Sequence, residues 1–367
     1  MTRAPRFTPA LFAHAEKALA ELLHFDRPAD AALSHYFRLN RELGHADRGF
    51  VAESVFAVLR HKRSLEAICA GRRGPRHLLL AVLLKVRGWS LENLQGVLHA
   101  ADREWLAAMD ELNFVTLPPA VACNLPDWLY ERLLAEYGEA ETRTLAAALQ
   151  QPAPLDLRVN LLKADRDAVL AQLGEDDIAA TPGQWAPTAI RLAEKPALSR
   201  HPLFIDGSIE VQDEGSQLLA CLVAPKRGEM VADFCAGAGG KTLALGALMR
   251  NTGRLYAFDV SDKRLANLKP RLARSGLSNV HPIRIEHERD ARIKRLAGKM
   301  DRVLVDAPCS GLGTLRRNPD LKWRQNETGI AEMVAKQRAI LDSAARLVRP
   351  GGRLVYATCS LLAEENH

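Results

Sequence analysis

No apolar run in this chain approaches the ~20 residues needed to cross a bilayer, and residues 1–9 lack the apolar stretch of a signal peptide. A membrane partner is therefore not expected. Cysteine is scarce: six in 367 residues, at Cys69, Cys123, Cys221, Cys235, Cys309 and Cys359. Their scatter argues against a disulfide framework and against a Cys-x-x-Cys metal site. A reducing cytoplasm is the expected compartment, and no metal is expected. Internal repeats and low-complexity stretches are absent. Neither sign of charge dominates: 50 Lys and Arg stand against 44 Asp and Glu, a formal +6. With a pI near 9.0, that balance is compatible with nucleic acid without singling it out.

A chain of this length holds two or three domains. Residues 1–145 read as helical. Apolar positions recur at helical spacing over 11–23, 48–63, 78–86 and 127–137, and no strand alternation interrupts them. We read an all-α domain. Its basic residues cluster at Arg60, Lys62, Arg63, Arg72, Arg73, Arg76 and His77, either a solvated face or a phosphate-contacting surface. Two prolines near 150–155 punctuate the chain. Residues 146–210 then read as a small α+β segment, with strands at 155–162, 189–192 and 203–205 and a helix at 165–173. A helix over 212–223, with Asp213 or Ser216 near its start, leads into the third region, 211–367.

That region alternates strand and helix. Strands are expected at 230–232, 254–259, 280–285, 302–306 and 353–358. Helices are expected at 241–250, 262–275 and 332–347, with Gly276 capping the second. The pattern predicts an α/β fold, a Rossmann-like doubly wound parallel sheet. Ligands of such sheets sit at the carboxyl ends of the strands. Asp233, Asp259, Asp306 and Thr358 all fall at such ends.

The centre of the region is Asp-Phe-Cys-Ala-Gly-Ala-Gly-Gly-Lys-Thr (233–242). Strand, small-residue turn, helix lets backbone approach a ligand and offers the unpaired N–H groups of a fresh helix. Cys235, Ala236, Gly237, Ala238, Gly239, Gly240 and Lys241 form this candidate cofactor loop. It is not a phosphate P-loop, because the first glycine of that spacing would stand at Cys235. Asp259 is either a helix cap or the acid that takes a ribose; with the glycine turn and Lys241 present, we favour ribose. An adenosine-bearing cofactor without required phosphates, S-adenosylmethionine, fits better than ATP or a dinucleotide.

Two cysteines carry the chemistry. A free cysteine is usually a buried small hydrophobe. Cys309 and Cys359, however, each follow a strand end on the ligand edge of one sheet, flanked by small or polar residues. A thiolate there can act as a nucleophile. Carbon 5 of a pyrimidine is a poor nucleophile until a thiolate adds to carbon 6. A second group must then remove the carbon-5 proton. Two cysteines and a carboxylate suit that sequence.

The motifs at 233–242, 306–311 (Asp-Ala-Pro-Cys-Ser-Gly), 316–323 (Arg-Arg-Asn-Pro-Asp-Leu-Lys-Trp) and 356–360 (Tyr-Ala-Thr-Cys-Ser) resemble those of the Sun (Nol–Nop–Sun) family of RNA cytosine-C5 methyltransferases. The helical region, with Arg41-Glu-Leu-Gly-His-Ala-Asp-Arg48, resembles a NusB-type RNA-binding domain. That pairing is typical of the bacterial 16S rRNA cytosine-C5 methyltransferase B branch. The resemblance implies Cys359 as nucleophile, Cys309 as the group that helps to remove the proton, and Asp306 on the cytosine edge near the methyl donor. It implies that residues 235–241 and Asp259 hold S-adenosylmethionine, and that Lys241 also meets the target base. Arg316, Arg317, Lys322 and Arg324 are then expected either to meet RNA phosphates or to lie on a solvated loop.

Three departures from the family pattern stand out. Ala238 replaces a proline, which removes rigidity rather than a donor. The acid expected to contact adenine falls within 285–290; we prefer Asp290, with Glu286 and Glu288 open. The family continues past His367 with a closing hairpin, so a truncated chain with an exposed sheet edge is expected. The expected partner is RNA, 16S rRNA first, bound by a monomeric chain. A tRNA cytosine methyltransferase, a non-catalytic assembly factor and a small-molecule methyltransferase are the rivals.

Overall fold

A computed structural model describes residues 7–69, 71–110 and 116–367. Residues 1–6, most of the stretch read above for a leader, lie outside the described residues. The chain forms two compact units. One comprises Met1–Pro152, Ser310–Ile330 and Cys359–Ala363; the other comprises Ala153–Cys309, Ala331–Thr358 and Glu364–His367. No helix among the described residues is long and apolar enough to cross a membrane.

The first unit is helical. Its main elements are α1 (Pro9–Leu22), α2 (Ala29–Leu39), α3 (His45–Ile68), α4 (Pro75–Lys85), α5 (Leu91–Leu94), α6 (Ala100–Asp110), α7 (Pro119–Ala122) and α8 (Asp127–Leu149). In α4 six successive residues, Leu78 to Leu83, are 0% exposed. A helix apolar all round belongs at the centre of its bundle. α8 extends past the periodic stretch at 127–137, and Gly138 (φ 75°, ψ 170°) leaves helical angles within it, so that a kink divides it in two.

The second unit holds two sheets. The small one has β1 (Leu155–Val159), α9 (Arg166–Glu175), β2 (Ala180–Pro182), β3 (Ala189–Leu192), α10 (Pro202–Ile205) and β4 (Ile209–Val211), in the antiparallel order β2-β3-β1-β4. Residues 203–205, expected as a strand, lie in α10. Pro202 pre-sets its first turn, and the His201 ring accepts the Leu203 N–H at 3.3 Å. The strand that completes the sheet is β4 instead.

Next come α11 (Glu214–Val223), β5 (Met230–Asp233), α12 (Gly240–Leu248), β6 (Arg254–Asp259), α13 (Asp262–Ser275), β7 (Val280–Arg284), α14 (Ala291–Lys294) and β8 (Met300–Asp306). α15 (Leu321–Arg324) falls within the first unit, and α16 (Glu327–Ala345) and β9 (Val348–Ala357) follow. The five strands pair in parallel in the order β7-β6-β5-β8-β9. Val231, Leu255, Ala257 and Leu304 pack in one core cluster, Ala232, Phe258, Val303 and Val305 in another. A sheet covered on both faces explains why its strands read as continuous apolar runs. Pro282 sits in β7, an edge strand, where a missing N–H is tolerated. Pro350 is likewise in edge strand β9, which begins at Val348 rather than at Arg353. Asp233, Asp259 and Asp306 end β5, β6 and β8 on the same edge of the sheet.

Candidate active site

The crevice at that edge is built by the turn between β5 and α12. Gly237 (φ 56°) and Gly239 (φ 81°) take the left-handed conformation that favours glycine. A Cβ on Gly239 would stand 2.1 Å from Leu268 Cδ1, whereas one on Gly237 would meet nothing within 4 Å. The first position is closed by packing; the second faces open space. Asp259 clasps the turn: its Oδ2 accepts the Gly237 N–H and its Oδ1 the Ser261 N–H, each at 2.8 Å. Its side chain is 3% exposed and lies 3.4 Å from Arg264 Nη2.

Beneath the turn, Asp233 is 1% exposed. Its Oδ2 accepts the Thr242 hydroxyl at 2.7 Å, while its Oδ1 is buried with no hydrogen-bond partner. Burial pushes this carboxyl up to about 7, against the opposing pull of Thr242. Lys241 Nζ donates to Asp306 Oδ2 at 2.7 Å. Burial, and then the charges of Asp233, Asp259 and Asp306, push the Cys235 thiol up to about 12. A thiol so raised stays protonated near neutral pH. Asp233, Asp259 and Asp306 gather here against two cations, Lys241 on Asp306 and Arg264 on Asp259. A cationic ligand suits that balance, and the open space at Gly237 and the N-terminus of α12 suit close backbone approach. The residues therefore fit S-adenosylmethionine, whose sulfonium is positive.

Asp290 stands at the start of α14. It caps α14, accepting the Arg292 N–H at 2.8 Å and the Glu286 N–H at 3.0 Å. Those two backbone bonds hold its carboxyl below the usual range. Cys309 lies three residues past the end of β8. The preceding Pro308 carbonyl accepts from Gln337 Nε2 at 2.9 Å. Burial, then Cys309, Glu365 and Cys235, raise the neighbouring Tyr356. Cys359 is exposed and counts with the helical unit. Its carbonyl accepts the Gly313 N–H at 2.8 Å, an approach that a Cβ on Gly313 would obstruct at 2.8 Å.

The segment at 316–324 departs from its expected role. Lys322 is 3% exposed and donates to the Arg60 carbonyl at 2.8 Å; Trp323 Nε1 donates to the Leu59 carbonyl at 2.9 Å. With both carbonyls taken, α3 loses its regular ladder. His61 leaves helical angles (φ −107°, ψ 17°), and the Ser64 N–H turns to Asn124 Oδ1 at 3.0 Å. Arg316 donates to the carbonyls of Pro152 (2.7 Å) and Gln151 (3.4 Å), and Arg324 pairs with Asp320 at 3.3 Å. Burial pushes Lys322 down to about 7, and burial with Lys322 and Arg60 pushes His61 down to about 4. Lys322, Arg316 and Arg324 are thus bound within their own unit and do not form a solvated loop.

The basic cluster of the helical region is similarly spent in part. Arg60 donates to the Arg316 carbonyl at 3.0 Å, Lys62 pairs with Glu66 at 2.9 Å, Arg63 with Asp127 at 2.8 Å, and Arg76 with Asp102 at 2.6 Å. Arg72 and Arg73 remain exposed. Two residues that sequence reasoning missed, Arg158 and Arg271, donate to carbonyls of the glycine turn. Nothing local marks them, since their partners lie 82 and 33 residues away.

Comparison with known proteins agrees with this architecture. Residues 220–367 match the family described as 16S rRNA methyltransferase RsmB/F, and residues 125–199 match the ferredoxin-like domain of RsmF/B-like methyltransferases. A probable ribosomal RNA small subunit methyltransferase B of Synechocystis sp. is 32% identical, covering 95% of this chain and 85% of that one. The ribosomal RNA small subunit methyltransferase B of Sodalis glossinidius is 33% identical, covering 96% and 86%. Among solved structures, PH0851 superposes with a TM-score of 0.78 at 27% identity over 99% of this chain and 88% of its own. A methyltransferase homologue from Pyrococcus horikoshii gives 0.61 at 32% identity over 70% and 80%. With a parallel sheet, a glycine turn clasped by Asp259, and relatives 32–33% identical over 95–96% of this chain, the chain belongs to the RsmB/F family of 16S rRNA methyltransferases.

Proposed function

We propose that this protein methylates carbon 5 of cytosine in RNA, with 16S rRNA as substrate and Cys359 as nucleophile. One observation carries the reading. β8 and β9 are paired neighbours, Asp306 opposite Ala357, and a cysteine follows each strand end within three residues. S-adenosylmethionine supplies an electrophilic methyl group, held by residues 235–241 and Asp259. A carboxylate has about four acceptor sites, so Asp259 retains capacity for ribose hydroxyls beside its two backbone bonds. Asp290, which likewise keeps acceptor capacity beside its two backbone bonds, is the acid we assign to adenine, with Glu286 and Glu288 as the alternatives.

The target cytosine must leave its stack to reach the thiol, which favours a loop or partly unfolded rRNA. Asp306, oriented by Lys241, accepts from the exocyclic amine of the base. The Cys359 thiolate adds to carbon 6 and breaks the 5,6 double bond, which makes carbon 5 nucleophilic; a carbon–methyl bond forms there, and the donor's sulfonium–methyl bond would break to leave S-adenosylhomocysteine. Cys309, as thiolate, takes the proton from carbon 5. The double bond re-forms and the carbon–sulfur bond breaks, returning Cys359 as thiolate. We assign RNA binding to residues 1–145 and 146–210 and catalysis to residues 211–367.

The test is transfer of labelled methyl to unmodified 16S rRNA and to bulk tRNA, side by side. Label in rRNA, recovered as 5-methylcytosine, is expected. Label in tRNA alone would keep the chemistry and overturn the substrate. RNA binding with no label in either would favour an assembly factor. Cys359→Ala should lower transfer by at least about 10³-fold while RNA binding persists. Cys309→Ala should accumulate covalent enzyme–RNA adducts on a denaturing gel; normal turnover without adducts would remove Cys309 from the mechanism.

A further inference from the structure

The glycine turn is gripped from behind by two guanidinium groups. The Ala238 carbonyl accepts from Arg271 Nη1 at 2.7 Å, and the Gly240 carbonyl from Arg158 Nη1 at 2.6 Å. Arg271 is on α13. Arg158 is on β1, in the small antiparallel sheet, and is 4% exposed. Strand β4 organises both. Glu210, also 4% exposed, faces Arg158 in the β1–β4 register. Its Oε2 accepts from Arg271 Nε and Nη2 at 3.2 and 2.9 Å, and its Oε1 accepts from Arg274. Gln212 Oε1 accepts from Arg158 Nη1 at 2.6 Å. Two guanidiniums, those of Arg271 and Arg274, thus share one carboxylate with Arg158 beside it across the strands, and the Nε atoms of Arg158 and Arg274 are buried with no hydrogen-bond partner. Buried ions so incompletely paired are a poor way to add stability. Their geometry has another effect.

In a trans peptide the C=O and the next N–H point in opposite directions. Holding the Gly240 oxygen toward Arg158 therefore aims the Lys241 N–H the other way, among the first N–H groups of α12, which have no intrahelical acceptor. The same constraint at Ala238 sets the peptide leading into Gly239, whose freedom Leu268 closes from its own side. We propose that Arg158 and Arg271 are positioning residues for the methyl-donor loop, so that the small β1–β4 sheet sets donor affinity without touching the donor. This rests on the reading of the turn as the S-adenosylmethionine site. It does not depend on which base is methylated.

The experiment measures binding of S-adenosylhomocysteine by calorimetry, alongside thermal melting and steady-state kinetics in the donor. Arg271→Gln and Arg158→Met should each raise the Kd and the donor KM about tenfold, the effect of one charge-assisted hydrogen bond. kcat at saturating donor should stay within about threefold. Arg158→Lys should recover part of the loss, since an ammonium keeps the charge but not the fork. Should Arg158→Met fail to fold, Arg271→Gln decides, its side chain being 22% exposed. A folded Arg271→Gln protein with Kd within about twofold of wild type, or with kcat lowered and Kd unchanged, would overturn the proposal. Failure of the wild-type protein itself to bind S-adenosylhomocysteine would overturn the donor site, and this inference with it.

Discussion

The turn at 233–242 and the segment at 316–324 are both short, rich in positive or small residues, and equally suggestive of a ligand. They do opposite things. In the turn, Gly237 faces open space, Asp259 holds the backbone from its buried side, and Lys241 donates to the partly exposed Asp306. In the segment, Lys322 and Trp323 donate to carbonyls of α3, and Arg316 donates to carbonyls of the chain just after α8. A basic side chain beside an unsatisfied carbonyl is a structural peg. A basic side chain beside a carboxylate at a strand end is part of a site. Motif chemistry alone does not separate the two; the identity of the distant acceptor does.

The largest test of that contrast is Trp323→Ala. It removes the bond to Leu59 and the ring against which Lys62 and Lys322 rest, at 5.2 and 4.9 Å from its centroid. A loss of about 3 kcal/mol is expected in chemical denaturation, with S-adenosylhomocysteine affinity within about twofold. A loss below about 1 kcal/mol would return the segment to the surface loops. Next is Gly239→Ala, strained by φ 81° and by the 2.1 Å approach to Leu268. It should cost about 2 kcal/mol and at least about tenfold in S-adenosylhomocysteine affinity. Unchanged binding would remove the turn from the donor site.

The two regions should also answer pH with opposite sign. Asp233 is raised from 3.8 to about 7. Across that window the native state binds more protons than the unfolded chain, so stability falls as pH rises. Lys322 is lowered from 10.5 to about 7. Between about 7 and 10.5 the unfolded chain binds more protons, so stability rises with pH. Asp233→Asn should flatten the acid limb of a melting-temperature profile, and Lys322→Met the alkaline limb. A variant that flattens the other limb, or neither, would break the assignment. The smallest effect is expected from Arg324→Ala. Its ion pair with Asp320 is partly exposed, and its loss should cost below about 1 kcal/mol. It should leave the salt dependence of RNA binding unchanged, whereas a phosphate contact would lower that slope by about one.

Much of the catalytic unit was legible before any coordinates. Alternating strand and helix, an acid at the ends of β5, β6 and β8, and a left-handed Gly276 after α13 are local or short-period signals, and the structure repeats them. The misreadings have local causes as well. Three apolar residues after Pro202 are too few to distinguish strand from helix. The periodic stretch at 127–137 stops short of Gly138, where a kink divides α8 in two.

The sequence by itself determined the helical region, the parallel sheet and the carboxylates and cysteines that follow its strand ends, because period, turn residues and strand termini act over a few residues. Only the tertiary structure decided what the buried charges do. Lys322 meets the Arg60 carbonyl across 262 positions, and Arg158 meets the Gly240 carbonyl across 82. Whether a cation serves a ligand or a carbonyl depends on which acceptor folding leaves without a partner, and that is a property of the packed chain.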